Sequence, residues 1–316
     1  MAPKSVSFDP SRDIPSLKGK VILITGGCTG LGKQSALELT KYAPSQVWIT
    51  GRNAERGIAS IAEIQAHAPN VPIRFLELDL TSFDSTLKAA NIFLTSAPRL
   101  DILMLNAGIM AVPPGQTKVG YEITFGTNHL GHALFFKLLT PLLLKSSNNP
   151  PRSDIRVVIT SSNGHKFVPA GGIQFNSLAT DGSGLSIAHR YGQSKLANVL
   201  YAREIAKRYP QLKAVSVHPG TIKTDLHQSN GGSLLIRLFQ SVVLPFVGQS
   251  VEEGAKNQLW ASTATDIMSG EYYEPVGVSG KGGTYSTNDE LAIRLWEWTE
   301  RQIDTHVKLG EAKHSG

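Results

Sequence analysis

Tyr191 and Lys195 are the two residues of this chain whose types and spacing most directly suggest chemistry. They are four residues apart, so on a helix both side chains would leave the same face, one turn apart. A lysine ammonium beside a phenol favours the phenolate and is expected to lower the pKa of Tyr191 from about 10. Such a phenol can give a proton to a substrate oxygen or take one away. This spacing also arises by chance on many helices, so other stretches must support the interpretation.

A glycine-rich turn, residues 25–32, follows an apolar strand and precedes a helix, and it indicates a phosphate site. Gly26 permits a sharp turn, and Gly30 and Gly32 permit close approach of the backbone to a ligand. The start of a helix offers free N–H groups and the positive end of a dipole to a pyrophosphate. The spacing is Gly-x3-Gly-x-Gly and not the usual Gly-x-Gly-x-x-Gly, and a turn without a ligand is the alternative.

Positively charged residues after the first and second strands, together with a missing carboxylate, indicate NADP(H) in preference to NAD(H). No carboxylate lies between Glu38 and Glu55 to hold a ribose 2′-hydroxyl. The second strand ends instead at Arg52, which can stack on adenine and pair with a 2′-phosphate. Lys33 would add a second positive charge, although either cation could be a solvated surface charge. Asp79 is expected to accept a hydrogen bond from the adenine amino group, or else to cap the next helix.

The order of the predicted elements indicates a single-domain Rossmann fold over residues 1–316. Apolar runs of strand length alternate with helical stretches, so successive strands should be parallel and joined by right-handed crossovers. The product is an α/β fold, a doubly wound parallel sheet with helices on both faces. The predicted strands are 21–25, 46–50, 73–77, 101–106, 155–160, 213–218 and 271–275, and the predicted helices are 33–42, 54–67, 82–95, 120–144, 188–209 and 291–303.

Composition narrows the class of protein and its partners. The chain is 18% charged and 41% hydrophobic, which is typical of a soluble enzyme. Its formal charge is +6, but no dense basic run appears, so no nucleic-acid partner is predicted. Its one cysteine, Cys28, cannot form an internal disulfide, and no signal peptide is evident, so we expect a cytoplasmic protein. No stretch has the roughly 18 apolar residues of a membrane span, and no histidines have metal-ligand spacing.

With Asn106-Ala107-Gly108, these motifs resemble the short-chain dehydrogenase/reductase family over about residues 18–300. Within that family the chain is most similar to the retinol-dehydrogenase-like and WW-domain-oxidoreductase-like branch and to its fungal reductases. The stretches that carry this similarity are 128–132, 161–165 and the long segment 162–191. The resemblance implies a carbonyl reductase or alcohol dehydrogenase that uses NADP(H) and no metal.

The resemblance also implies the roles of four catalytic residues. Tyr191 would protonate the carbonyl oxygen, while Lys195 would bind the nicotinamide ribose and lower the tyrosine pKa. Ser162 would form a hydrogen bond with the substrate oxygen, with Ser161 as the competing assignment. Asn128 would hold a water molecule that connects Lys195 with solvent, and the alternative is an amide bonded to the backbone.

Several turns at strand ends would contact the cofactor. In the family, the turn at 106–108 packs on the adenosine side, the backbone near Ile222 meets the nicotinamide carboxamide, and Thr224 reaches the phosphates. The full predicted cofactor-binding set is Gly26, Thr29, Gly30, Leu31, Gly32, Lys33, Arg52, Asp79, Leu80, Asn106, Ala107, Gly108, Tyr191, Lys195, Pro219, Gly220, Ile222 and Thr224.

The substrate is predicted only by class, as a small lipophilic ketone, aldehyde or alcohol. The family places specificity in the apolar segment 225–250, which would form a lid over the substrate. A helix packed on the core, a subunit interface and a membrane-surface contact are the alternatives. A homodimer and a homotetramer both remain open, and residues 305–316 are expected to form a flexible tail. The competing functions are a nucleotide-sugar epimerase or dehydratase and a catalytically silent scaffold.

Overall fold

A parallel sheet organises the chain. The computed structural model describes residues 5–148, 154–222 and 249–314, with side chains up to residue 307. Seven strands pair in the order β3-β2-β1-β4-β5-β6-β7, and every pairing is parallel. This confirms the predicted doubly wound sheet. The strands are β1 (Val21–Ile24), β2 (Gln46–Gly51), β3 (Ile73–Glu77), β4 (Ile102–Leu105), β5 (Ile155–Thr160), β6 (Leu212–Val217) and β7 (Tyr272–Tyr273).

Helices connect the strands and cover the sheet. No helix in the described ranges is long and apolar enough to cross a membrane. The α-helices are α1 (Pro10–Asp13), α2 (Gly30–Thr40), α3 (Ala54–His67), α4 (Phe83–Ser96), α5 (Ile123–Phe125), α6 (Gly131–Ser147), α7 (Ile187–Arg208), α8 (Val251–Thr263) and α9 (Asp289–His314). A π-helical turn, Gly126–Leu130, separates α5 from α6.

The strands bury both of their faces, which explains why they appear in the sequence as unbroken apolar runs. In β1, Leu23 packs into one hydrophobic core, while Ile22 and Ile24 pack into the other. Helices α4, α6, α7 and α9 cover the first core, and α2, α3 and α8 cover the second. The strand order reverses between β1 and β4, and this reversal opens a crevice at the carboxyl ends of the strands.

The helix predicted over 120–144 is not continuous. It begins only after Glu122, whose carboxylate accepts hydrogen bonds from the N–H groups of Thr124 and Phe125 at 3.0 and 2.7 Å. The π-helical turn then interrupts the α-helical pattern. A π-turn changes the backbone pairing and is common at functional sites, but it leaves the apolar pattern of the sequence almost unchanged. Periodicity alone therefore could not reveal the interruption.

Helix α8 is an element to which the sequence pattern assigned no structure. Its buried face contains two amides, and these disguise the apolar period of a helix. Asn257 donates to the backbone oxygens of His218 and Tyr273 at 2.8 and 2.9 Å. Gln258 donates to the hydroxyl of Ser35 on α2 at 2.5 Å. Helix α8 thus connects the ends of β6 and β7 to α2.

The last helix extends well beyond its predicted end at residue 303. Helix α9 continues to His314, so most of the segment predicted as a flexible tail, 305–316, is helical. The extension is anchored by packing, because the His306 ring lies 5.3 Å from that of Phe83 and 5.5 Å from that of Tyr121. The predicted lid, 225–250, lies outside the described residues except for Gln249 and Ser250, as does Thr224.

We predict that Trp296 is a main anchor of α9. Its ring stacks on Tyr201 with 4.9 Å between centroids, and the Arg208 guanidinium lies 4.7 Å above it. Trp296→Ala is expected to lower the free energy of unfolding by about 3–5 kcal/mol in urea denaturation, because the cavity removes buried aromatic contacts. Ile293→Ala on the same helix is the control, since Ile293 is 43% exposed and should cost about 0.5 kcal/mol. Equal losses would contradict this assignment.

Candidate active site

The glycine turn between β1 and α2 is shaped for close approach of a ligand. Gly26 and Gly30 have φ angles of +66° and +51°, which favour glycine. A Cβ atom at Gly32 would lie only 2.3 Å from the backbone oxygen of Gly26. Because glycine has no Cβ atom, α2 can pack directly against the turn. Thr29 occupies the N-cap position of α2 without a side-chain capping bond. The N–H groups at the start of α2 are therefore available to an anion.

A cavity of about 590 Å³ extends from this turn along the carboxyl ends of β2, β3 and β4. Ten predicted cofactor-binding residues line it, namely Gly26, Thr29, Gly30, Leu31, Arg52, Asp79, Leu80, Asn106, Ala107 and Gly108. Ile222 lies nearby but outside the lining, because it packs under α8 against the positions of Gly254 and Leu31. Pro219 and Gly220, which follow β6, are also absent from the cavity lining.

Lys33 does not lie along the cavity, contrary to its predicted contact with a 2′-phosphate. Its ammonium pairs with the Glu63 carboxylate on α3 at 2.9 Å. Arg56 lines the cavity instead, together with Arg52 and Asn53. Asn53 caps α3 by accepting from the N–H of Arg56 at 2.8 Å, which places Arg56 in the first turn of that helix. The signal in the sequence that could have identified Arg56 was its place in the first helical turn after Asn53, close to Arg52.

Asp79 is held at the edge of the cavity and does not cap α4, a role taken by Ser82. Its carboxylate accepts hydrogen bonds from the N–H and hydroxyl of Thr81 and pairs with Lys118 at 2.9 Å. Burial alone would raise the pKa of Asp79, but the hydrogen bonds from Lys118 and Thr81 outweigh it and lower the pKa. The carboxylate is therefore charged and fixed in place at neutral pH.

The turn after β4 joins this cavity to the predicted catalytic residues. The amide of Asn106 donates to the backbone oxygen of Thr25 at 2.9 Å, which fixes the turn against β1. Gly108 follows, and a Cβ at this position would lie 3.1 Å from Oδ1 of Asn128 and 3.4 Å from Nζ of Lys195. The absence of a side chain at Gly108 thus lets the cavity wall lie directly against two of the four predicted catalytic residues.

Asn128 is fully buried in the π-helical turn, and both ends of its amide are occupied. Oδ1 accepts from the N–H of Ile109 at 2.7 Å, while Nδ2 donates to the oxygen of Ile109 and to the hydroxyl of Ser194, both at 3.0 Å. The side chain is therefore bonded to the backbone, as in the alternative interpretation, while the water-holding role stays a prediction. It fixes the strand-end turn against α7.

His132 connects this turn to β1. The backbone oxygen of Asn128 lies 3.1 Å from Nδ1 of His132, so Nδ1 carries the proton and Nε2 accepts. Nε2 is 2.9 Å from the Thr25 hydroxyl, which can donate to it. Burial lowers the pKa of His132 to about 4, only partly offset by the bond to Asn128, so the ring is neutral near pH 7. His132 therefore has a structural role, because it links the π-helical turn to the end of β1.

Tyr191 and Lys195 lie on the same face of α7, as predicted, with Nζ 5.7 Å from the centroid of the phenol ring. The predicted lowering of the tyrosine pKa is wrong in this structure. Burial raises the pKa of Tyr191 to about 12, and a hydrogen bond with Ser162 offsets this only in part. The ammonium donates to the backbone oxygen of Thr160 at 3.0 Å, and burial lowers its own pKa to about 8. Desolvation therefore sets the direction of both pKa shifts.

The two serines of the Ser161-Ser162 pair have different partners. The buried hydroxyl of Ser161 donates to the backbone oxygen of Lys195 at 2.8 Å. The hydroxyl of Ser162 accepts from the N–H of Gly164 at 3.1 Å and forms a hydrogen bond with Tyr191. Ser162 is therefore the serine brought to the phenol, while Ser161 joins β5 to α7.

His165 holds the turn that carries Ser162, a contact that sequence reasoning missed. Its Nδ1 donates to the oxygen of Ser162 at 2.6 Å, and its Nε2 accepts from the N–H of Gly283 at 2.8 Å. The ring packs against Tyr272 of β7 with 4.6 Å between centroids. Burial lowers the pKa of His165, so the imidazole is neutral and can make both bonds. A histidine three residues beyond the serine was the only signal in the sequence.

Comparison with known proteins agrees with this architecture. The family model described as short chain dehydrogenase matches residues 20–233. The chain belongs to the short-chain dehydrogenase family. Proteins of this family are oxidoreductases that bind a nicotinamide cofactor.

Similar proteins of this family cover almost the whole chain. An uncharacterised oxidoreductase of Schizosaccharomyces pombe is 34% identical over 92% of this chain and 86% of its own length. Retinol dehydrogenase 12 of Mus musculus is 36% identical over 89% of this chain and 85% of its own length. The crystal structure of an uncharacterised protein from Mycobacterium Paratuberculosis superposes with a TM-score of 0.70 at 26% identity, covering 95% of this chain and 98% of that one. These similarities confirm the predicted family and its retinol-dehydrogenase-like branch.

Because Ser161 and Ser162 have different hydrogen-bond partners, we expect their substitution by alanine to have different effects. Ser162→Ala should lower kcat/KM for a carbonyl substrate by roughly 100- to 1,000-fold, because it removes a donor to the developing oxyanion. Ser161→Ala should retain most activity and cost about 1 kcal/mol of unfolding free energy, since a single buried hydrogen bond is lost. Steady-state kinetics and urea denaturation of both variants check this. The opposite pattern would assign the catalytic role to Ser161.

Proposed function

We propose that this protein is an NADP(H)-dependent oxidoreductase that interconverts a ketone or aldehyde with an alcohol on a small lipophilic substrate. The observation that carries this proposal is the convergence of three groups at one end of the glycine-lined cavity. Tyr191 is bonded to Ser162 and lies beside Lys195, whose ammonium approaches the cavity wall at Gly108. Such a set can act on a carbonyl oxygen placed next to a bound nicotinamide.

The cavity suits a dinucleotide. The tight turn at Gly26 and Gly30 and the uncapped start of α2 would hold the pyrophosphate through backbone N–H groups. Asp79 would accept a hydrogen bond from the adenine amino group, and the turn at 106–108 would pack on the adenosine side. When bound, the cofactor supplies or accepts the hydride. The residues of this chain orient the reacting carbons and manage the proton.

The proton is assigned to Tyr191. With a pKa raised by burial to about 12, the side chain is a protonated phenol at neutral pH. This is the form that donates a proton to a carbonyl oxygen, so the pKa supports the reduction direction. Ser162 would add a second hydrogen bond to the oxygen as negative charge develops on it. Lys195, with a pKa of about 8, is mainly charged below pH 8 and would stabilise the phenolate that forms.

A lipophilic substrate is supported by two observations. Phe167 follows the Ser162 turn closely and is 65% exposed, so it offers an apolar surface near the mouth of the site. The similar retinol dehydrogenase 12 is named for a lipophilic alcohol. A screen of aldehydes, ketones and alcohols that follows NADPH absorbance tests the proposed activity. Failure to turn over any member of a broad panel would contradict it.

Tyr191→Phe tests the acid/base role. Removing the hydroxyl takes away the proton donor without altering the cavity that would hold the cofactor. We expect kcat to fall by roughly 100- to 10,000-fold, the range of general acid catalysis. The dissociation constant of NADPH, measured by fluorescence titration, should change little. Turnover close to that of the unmutated enzyme would remove Tyr191 from the mechanism.

The preference for NADPH is assigned to Arg52 and Arg56. Neither guanidinium forms an ion pair with a residue in the described part of the chain, and both line the cavity. Arg52→Asp and Arg56→Ala should each lower kcat/KM for NADPH by roughly 10- to 100-fold relative to NADH, because charge-assisted hydrogen bonds to a 2′-phosphate are lost. Lys33→Ala is the matched control and should leave the ratio unchanged. Equal use of both cofactors by the unmutated protein would contradict the assignment.

A further inference from the structure

Four polar side chains form a cluster at the carboxyl ends of β6 and β7, beyond the cofactor cavity. The "β7 cluster" consists of Lys166, His218, Tyr272 and Glu274. Oε2 of Glu274 accepts from the hydroxyl of Tyr272 at 2.8 Å and from the ammonium of Lys166 at 3.2 Å. His218 is 9% exposed and lies near enough to interact electrostatically with Glu274 and Lys166.

The cluster is connected to the proposed catalytic residues through one short turn, residues 162–166. On one side of this turn, a Cβ at Gly164 would lie 2.9 Å from a ring carbon of Tyr191. On the other side, His165 packs on the ring of Tyr272, and Lys166 reaches Glu274. Tyr191 is close enough to Tyr272 to contribute to the raised pKa of the Tyr272 phenol, after burial and Glu274. The β7 cluster thus borders the proposed catalytic residues on the side away from the cofactor cavity. This is the side on which a substrate must lie.

The cluster has unused hydrogen-bonding capacity. Oε1 of Glu274 forms no hydrogen bond with any residue in the described ranges, although its Oε2 has two donors. Nδ1 of His218 is buried and likewise has no partner there. The Glu274 side chain is 21% exposed, so solvent or a ligand can reach its carboxylate, and a substrate hydroxyl can replace water at Oε1.

We propose that Glu274 recognises a hydroxyl group on the substrate, so that the enzyme prefers hydroxylated carbonyl compounds over analogues without the hydroxyl. This inference rests on the proposed function, whose reacting carbonyl would lie at Tyr191 and Ser162. Oε1 of Glu274 accepts the hydrogen bond from the hydroxyl, while Tyr272 and Lys166 hold the carboxylate in place through Oε2. The substrate hydroxyl that Glu274 binds is therefore a different group from the carbonyl that is reduced.

The charge of the cluster favours a neutral substrate. Lys166 and Glu274 carry opposite charges and are paired at 3.2 Å. His218 is neutral near pH 7, because burial lowers its pKa to about 4. A substrate carboxylate would meet the negative charge of Glu274, whereas a hydroxyl donates to it. A hydrogen bond to a charged acceptor is lost completely when the substrate lacks the donor, which gives strong discrimination.

The test compares ketones that differ by one hydroxyl: cyclohexanone with 4-hydroxycyclohexanone, and acetophenone with 4′-hydroxyacetophenone. We expect the unmutated enzyme with NADPH to show a kcat/KM ratio on the order of tenfold in favour of the hydroxylated member of at least one pair. Glu274→Ala should reduce that ratio to near one, and Glu274→Gln, which keeps a hydrogen-bonding amide but loses the charge, should reduce it only in part. Glu271→Gln, a carboxylate outside the cluster, is the matched control and should retain the ratio. Thermal unfolding of each variant checks that the fold is intact.

The outcomes separate this inference from the proposed function. Turnover of the ketones with no hydroxyl preference, or with a preference that both Glu274 variants retain, overturns the inference and leaves the oxidoreductase assignment standing. If no ketone is reduced, the proposed function fails for these carbonyls, and calorimetric binding of the same pairs to the NADPH-loaded protein decides the inference. Tighter binding of the hydroxylated member that is lost in Glu274→Ala supports it, and equal binding of both members overturns it.

Discussion

The hydroxyl of Thr25 is the point on which the geometry of the site depends. It lies at the end of β1 and accepts hydrogen bonds from the N–H groups of Asn106 and Ala107 at 2.9 and 3.0 Å. It is also 2.9 Å from Nε2 of His132, a shorter contact than the 3.3 Å to the oxygen of Met104. A hydroxyl has one proton to donate and two lone pairs to accept with, so these bonds use it fully. Three separate segments are thereby held around the strand end.

Burial sets the electrostatics of the site more than the pairing of charges does. Tyr191 and Lys195 are close, yet burial shifts both toward their neutral forms, because it removes the water that stabilises their charged forms. In such a site the phenol of Tyr191 stays protonated, and the amine of Lys195 binds its proton less tightly than a lysine in water does. Both properties suit the delivery of a proton to a carbonyl oxygen near neutral pH.

The same parallel sheet also divides the site into two sides. The carboxyl end of β1 carries the glycine turn, and the ends of β2, β3 and β4 border the cavity with its arginines. The ends of β5, β6 and β7 carry Ser162 and the β7 cluster, and His165 connects those two features. Because parallel strands all present their carboxyl ends at one edge, residues far apart in the chain reach a common crevice. The proposed division between cofactor and substrate follows from the strand order.

The sequence by itself determined the family, the sheet and the elements that position the site. Apolar runs and glycine turns are local features, and β3 and β5 have the predicted bounds while most other elements agree within about two residues, the usual uncertainty of such boundaries. The tertiary structure alone decided that Lys33 pairs away from the cavity while Arg56 lines it, that the Asn128 amide is already occupied, and that burial raises the pKa of Tyr191. These outcomes depend on which side chains meet across the fold and how much water they lose, and neither quantity is encoded in the spacing of residues along the chain.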